Sequence, residues 1–170
     1  MSDSVAEHKS AAKASIGVAV LTVSDTRTLE TDTSGATIVQ LLAEAGHDVR
    51  LRRIVPDEPA EILSFLEDAL ADTTVAAVLV TGGTGISPRD RTAETLEARF
   101  TRPIPGYGEL FRYLSYQEIG PACILSRGTG GMIGPVVVLL MPGSRNAVTL
   151  AMTKIILPEL PHLVREATKS

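Results

Sequence analysis

Thr81-Gly82-Gly83-Thr84-Gly85, followed after Ile86-Ser87 by Pro88-Arg89-Asp90, is the stretch of this chain best equipped for chemistry. Its three glycines come at the end of an apolar run, Val75 to Val80, where missing Cβ atoms let backbone N–H groups approach a ligand. Thr81 and Thr84 add hydroxyls, Arg89 a positively charged fork, and Asp90 an oxygen ligand for a hard cation. These groups suit holding a phosphate beside a metal ion. The plainer reading is a tight surface turn after a strand.

Asp57 is a second carboxylate in a comparable setting, within Pro56-Asp57-Glu58-Pro59 at the end of the run Asp48 to Val55. Taken singly, each acid reads equally well as a turn-stabilising aspartate. Taken with the neighbouring glycines, Asp57 and Asp90 read as two carboxylates facing one phosphate-bound magnesium ion. Ser24 and Asp25 follow the apolar run Ile16 to Val23, and Pro142, Gly143 and Ser144 follow Pro135 to Met141. Ser144 is placed to open a helix whose first N–H groups attract anions. Ligands of open α/β sheets bind beyond the carboxyl ends of strands, so four such ends predict a shared pocket.

The elements that must position these residues follow from hydrophobic spacing. Ile16 to Val23 is nearly continuous and apolar, as in the interior of a parallel sheet. Ser34 reads as the N-cap of a helix carrying Ile38, Leu41, Leu42 and Ala45, closed by Gly46. Asp48 to Val55, with Arg50, Arg52 and Arg53, reads as a strand nearer an edge. Ile62, Phe65, Leu66, Ala69 and Leu70 mark a second helix, and Val75 to Val80 a third strand.

Thr92 to Phe100 predicts a short helix, and Tyr107 to Glu118 an amphipathic one with Leu110, Phe111, Leu114 and Ile119 near one face. Ile104 to Leu114 is a candidate subunit interface, or equally core. Pro121 to Ser126 reads as a short strand, and Arg127-Gly128-Thr129-Gly130-Gly131 as a second glycine-rich turn. The last helix starts near Ser144 and uses Val148, Met152, Ile155 and Ile156, with Pro158 and Pro161 kinking or dividing it. The alternation predicts a single three-layer αβα domain over 15–170 with a mostly parallel central sheet, after a flexible leader at 1–14.

Composition narrows the function. The chain has 170 residues, 44% hydrophobic and 21% charged, enough for one globular domain with a substantial core. Aromatics are only 4%, so the core must be Val, Ile, Leu and Ala. A net charge of −4 with no long basic run argues against general nucleic-acid binding. Cys123 is the only cysteine, which leaves no intrachain disulfide or cysteine-based zinc cluster, and its neighbours Ala122 and Ile124 suggest a buried thiol. His8, His47 and His162 match no metal-ligand spacing and no Ser/His/Asp arrangement. The loop lacks the Gly-Lys-Ser/Thr ending of a P-loop, and Gly-x-Gly-x-x-Gly breaks at Pro88 and at Ile133, which disfavours a dehydrogenase. Tyr107 and Tyr116 read as packing residues. No signal peptide and no stretch approaching the ~20 apolar residues of a membrane span is seen, so the expected location is the cytoplasm, with no membrane partner.

Six motifs occur in order: Thr22-Val23-Ser24-Asp25, Asp32-Thr33-Ser34-Gly35, Pro56-Asp57-Glu58, Thr81-Gly82-Gly83-Thr84-Gly85 with Pro88-Arg89-Asp90, Leu125-Ser126-Arg127-Gly128, and Met141-Pro142-Gly143-Ser144. The set resembles the MogA/MoaB family of molybdenum cofactor biosynthesis proteins, related to the plant G domain and the N-terminal domain of gephyrin. The resemblance implies a molybdopterin-binding α/β domain, a homotrimer or hexamer, whose active members adenylylate molybdopterin with Mg-ATP and release pyrophosphate. It implies Mg²⁺ as cofactor and ATP as co-substrate. The two catalytic, metal-holding acids match Asp57 and Asp90. Ser126, with Arg127 and Gly128, matches the turn associated with pterin binding. The further binding positions implied are Ser24, Asp25, Thr81, Gly82, Gly83, Thr84, Gly85, Arg89, Pro142, Gly143 and Ser144. Ser144-Arg145 stands where active relatives often carry Asn-Pro or Gln-Pro, which is closer to the MoaB branch. The alternative expectation is therefore a non-catalytic molybdopterin-binding or carrier protein.

Overall fold

The structure is a computed structural model and describes residues 15–169, so the expected leader at 1–14 lies outside the described residues. Its sheet has six strands in the order β2-β1-β3-β6-β5-β4. These are β1 (Gly17–Val23), β2 (Asp48–Val55), β3 (Val75–Thr81), β4 (Arg102–Pro103), β5 (Thr129–Ile133) and β6 (Val136–Met141). β2, β1, β3 and β6 run parallel, while β5 and β4 are antiparallel additions at one side. The central runs are apolar at nearly every position because both faces are covered, and β2 is half exposed because it is an edge.

Alternate residues of each strand feed different cores. On one face Val18, Val20, Leu79 and Leu139 pack with α1 (Thr33–Glu44), α4 (Pro105–Ile119), α5 (Arg145–Ala151) and α6 (Leu157–Ala167). On the other, Leu21, Val78, Val80 and Leu140 pack with α2 (Pro59–Ala71) and α3 (Thr92–Glu97). Register sets Thr22 beside Thr81 and Thr81 beside Met141, so the carboxyl ends of β1, β3 and β6 finish level. That alignment positions the site.

Several local expectations differ. The N-cap of α1 is Asp32, whose carboxylate reaches the Gly35 N–H at 2.8 Å; Ser34 lies inside the first turn and its hydroxyl is used elsewhere. Pro121 to Ser126 is no strand: Gly120, at φ +62°, ends α4 and a 3-10 turn runs over Gly120–Leu125. Cys123 in that turn is half-buried rather than buried. The second glycine cluster is no turn beyond Gly128, because the chain straightens into β5. Its glycines make room for neighbours: a Cβ on Gly130 would meet Leu139 Cδ2 at 2.7 Å, and one on Gly131 the Phe100 ring at 2.4 Å.

The buried face of α4 is Tyr107, Gly108, Phe111 and Ser115, which leaves Leu110, Tyr116 and Ile119 exposed instead of packed. The prolines of the last helix do not divide it. Arg145 to Ala167 is continuous, with a π turn at Met152–Ile156 just before Pro158 and with Pro161 inside α6. By length and composition this helix could cross a membrane, contrary to the sequence expectation, but Val148, Met152, Ile156 and Leu160 are fully buried on the sheet. It is a core helix.

Gly131→Ala tests the packing role of the β5 glycines. The Phe100 ring must yield to the added methyl, and overpacking of this kind lowers stability by about 1–3 kcal/mol, read as a lower urea midpoint. An unchanged midpoint would show that the ring moves freely.

Candidate active site

Gly82 is where the strand ends meet. Its N–H donates to the Met141 carbonyl at 3.2 Å, its φ is +103°, and a Cβ there would lie 2.1 Å from the Val23 carbonyl oxygen. Only glycine fits such a conformation against backbone on one side, and Gly143 closes in on the other, with room for its own Cβ only 3.3 Å from Gly82 Cα. The Thr81 hydroxyl donates to the Pro142 carbonyl at 3.1 Å, and the Ser34 hydroxyl to the Gly143 carbonyl at 2.8 Å. These bonds tie β3, the Pro142-Gly143 turn and α1 around a polar cleft of about 300 Å³. Ser24, Thr81, Gly82, Gly83, Thr84, Gly85, Asp90 and Gly143 line it, as the strand-end rule predicts.

The two acids occupy different places. Asp90 lines the cleft, with Oδ2 accepting from the Ser87 N–H at 3.2 Å, and it packs against the bare Gly85, whose Cβ would lie 2.7 Å from that oxygen. Asp57 is 5% exposed and stands behind the loop under Gly83. Its Oδ2 accepts from the Arg91 N–H at 3.1 Å and its Oδ1 from the Thr92 hydroxyl at 3.2 Å. Burial pushes its pKa up against the opposing effect of these hydrogen bonds, and the nearby Asp90 charge adds to the rise. Asp25 holds this arrangement from outside, accepting from the Asp57 N–H at 3.2 Å.

Two arginines brace the loop. Arg89 points away from the cleft and clamps Asp25 at 2.7 and 2.9 Å and pairs with Glu58. Those contacts hold Asp25 below the ordinary carboxylate range. Arg127 donates from Nη2 to the Asp90 carbonyl at 2.8 Å and from Nε to the Thr84 carbonyl at 3.4 Å, and it pairs with Glu94. Beyond Thr84 and Gly85 the cleft opens onto a more apolar compartment of about 210 Å³ that includes Phe111, Ile119, Leu125, Ser126, Pro142 and Ser144. Ser144 also caps α5, accepting from the Ala147 N–H at 3.2 Å. Gly128 lies in an adjoining pocket with Arg112, whose Nη1 donates to the Gly128 carbonyl at 3.1 Å.

Sequence reasoning missed Thr22, Arg27, Asp32 and Ser34, all of which line the cleft. Asp32 is buried and accepts from the Thr22 hydroxyl at 2.8 Å, the Gly35 N–H at 2.8 Å and Arg52 Nη2 at 3.1 Å. The signal was present in Asp32-Thr33-Ser34-Gly35, which reads at first as an ordinary helix start. Replacing Asp32 by Ala removes a cap and strands a partly buried guanidinium, with an expected loss of about 2–4 kcal/mol in urea unfolding.

The acid behind the loop has its own signature. A carboxyl with a raised folded pKa stabilises the fold below the ordinary aspartate value of about 3.9, and that contribution is lost as pH rises through the higher folded value. Wild-type stability should therefore fall relative to Asp57→Asn across that interval, measured by urea unfolding at each pH. A constant difference would show that Asp57 ionises normally.

The likenesses to known proteins agree with this geometry. The family model described as a probable molybdopterin binding domain matches residues 19–162. Molybdenum cofactor biosynthesis protein B of Bacillus subtilis is 48% identical over 167 residues, 98% of each chain. A crystal structure of a molybdenum cofactor biosynthesis protein B superposes with a TM-score of 0.90 at 46% identity, covering 94% of this chain and 99% of that one. The tungsten cofactor synthesizing protein MoaB from Pyrococcus furiosus superposes at 0.84 with 36% identity, covering 93% of this chain and 100% of that one. The chain belongs to the molybdopterin-binding domain family of molybdenum cofactor biosynthesis proteins.

Proposed function

We propose that the chain, within molybdenum cofactor biosynthesis, adenylylates molybdopterin with Mg-ATP and releases pyrophosphate. One observation carries the reading: Asp90 and an unobstructed glycine loop share a polar cleft that opens through Thr84 and Gly85 onto an apolar compartment. The cleft suits a nucleotide's phosphates, and the compartment, with Phe111, Leu125 and Ser126, suits a flat heterocycle.

The donor set fits a magnesium ion. Such an ion usually takes one or two carboxylates and completes its shell with substrate phosphates and water, and Asp90 presents its carboxylate to the cleft. Among the described residues no cluster of three acidic, histidine or cysteine side chains exists that would form an all-protein cage. Asp90 would hold the ion, which when bound neutralises charge on the polyphosphate. Asp57, with both oxygens engaged by Arg91 and Thr92, acts as a positioning residue for the loop. The terminal phosphate oxygen of molybdopterin attacks the α-phosphorus, and pyrophosphate departs with the electron pair of the broken bond. The nucleophile is already anionic, so the absence of histidine from the cleft lining is no obstacle.

A carrier without turnover is the second reading, favoured by the withdrawal of Asp57 from the cleft lining. Self-association into a trimer or hexamer is supported by Tyr113, Tyr116, Ile119 and Ile124, apolar groups exposed on α4 and the turn after it. Pyrophosphate release from molybdopterin and ATP decides between catalysis and carriage. Asp90→Ala is expected to lower the rate by at least about a hundredfold, from the loss of several kcal/mol of charge stabilisation, with pterin binding retained. Tight pterin binding with no pyrophosphate from the wild type would establish the carrier.

A further inference from the structure

A second groove adjoins the central cleft at the β2 edge of the sheet. Its cavity volume is about 600 Å³, and it shares Ser24 and Arg27 with the cleft, so the two are continuous across that turn. Arg52 and Arg53, from the end of β2, also line it. Asp25 is the one carboxylate among the lining residues, and its charge is already taken by Arg89.

The three guanidiniums are not equally neutralised. Arg53 pairs with Asp68 at 2.8 Å, and its guanidinium lies over the Phe65 ring. Arg52 pairs with Asp32 at 3.1 Å, yet its Nε is buried with no hydrogen-bond partner. Arg27 is exposed and donates from Nη1 to the Thr31 carbonyl at 3.0 Å; among the described residues it makes no ion pair. Arg52 and Arg53 are consecutive on β2 and send their guanidiniums to opposite faces of the sheet, toward Asp32 and Asp68. Arg27 therefore supplies the exposed charge of the groove, a fork that matches an anion presenting two oxygens.

Position selects which anion. The apolar compartment lies on the β6 side of the glycine loop, and the cationic groove on the β2 side. In-line displacement at phosphorus puts the attacking and leaving oxygens on opposite sides of the reacting centre. Resting on the adenylyl-transfer reading, we propose that this groove is the pyrophosphate subsite, receiving the β- and γ-phosphates of a nucleoside triphosphate whose α-phosphate lies at the glycine loop. The acceptor phosphate oxygen bonds to the α-phosphorus from the β6 side. The bond from that phosphorus to the α,β-bridging oxygen breaks, and its electron pair leaves with pyrophosphate toward Arg27. Arg27 thereby distinguishes a triphosphate from a monophosphate.

Calorimetric titration of the full chain with inorganic pyrophosphate, ATP and AMP tests this, using R27Q and R27K. Arg27 is exposed, and an unchanged melting temperature confirms that both variants fold. R27Q is expected to weaken pyrophosphate and ATP by about tenfold, the value of one charge-assisted hydrogen bond, and to leave AMP unchanged. R27K should recover part of the loss. Equal pyrophosphate affinity in R27Q and wild type overturns the proposal, as does an AMP loss matching that of ATP, which would put Arg27 on the α-phosphate. Arg27-dependent pyrophosphate binding by a wild type that binds neither ATP nor AMP supports the groove as an anion site and overturns the adenylyl-transfer reading.

Discussion

The site depends on one close approach of backbone to backbone, that of Gly82 to the Val23 carbonyl. Parallel register brings the ends of β1, β3 and β6 level, and chains leaving level strands must turn apart without colliding. With φ at +103° and no Cβ, Gly82 lets β3 turn while it still accepts neighbours on both sides. Gly83, also at positive φ, then passes directly over Asp57 and Thr92. A side chain at Gly82 would collide with the Val23 carbonyl and one at Gly83 with Thr92 and Asp57, so glycine lets the loop lie directly against its support. The same absence of side chains that shapes the turn also exposes the backbone to a ligand.

Holding such a loop requires polar contacts, because it has little apolar surface of its own to bury. Asp57 takes the Arg91 N–H and the Thr92 hydroxyl from beneath, Arg127 takes the Thr84 and Asp90 carbonyls from the β5 side, and Arg89 ties the tip to Asp25 and Glu58. Several groups that look like ligands in the sequence thus have structural partners. An arginine or aspartate satisfies a backbone group as readily as it satisfies a phosphate, and proximity decides which it does. Asp90 differs because its carboxylate accepts one bond from within its own loop and otherwise faces the cleft. Arg27 differs for a similar reason: it donates to a neutral carbonyl and, among the described residues, makes no ion pair.

The layered architecture was legible because its signal is local. Runs such as Val75 to Val80 and Val136 to Met141 are too apolar for any place but a sheet covered on both sides, and the half-exposed β2 showed its arginines. Glycine was the ambiguous letter. In Gly82-Gly83 it marks a turn with positive φ, whereas in Gly130-Gly131 it marks a strand pressed by Leu139 and Phe100. Nothing within either stretch distinguishes these, since the deciding atoms come from elsewhere in the chain. The face of α4 was misjudged for the same reason: Gly108 and Ser115 are buried by their neighbours, while Leu110 and Ile119 are not.

By itself the sequence determined the α/β class, the parallel centre of the sheet, and the polar strand ends that would gather around the loop at residues 81–90. These follow from hydrophobic period and from the rule that ligands bind at the carboxyl ends of strands. Tertiary structure alone decided that Asp57 stands behind the loop while Asp90 lines the cleft, that Asp32 rather than Ser34 caps α1, and that Arg27 joins the cleft to a cationic groove. Each of those outcomes turns on which side chain reaches which partner across the fold. Such distances are set by the packing of the sheet and helices, and no residue carries them in its own identity.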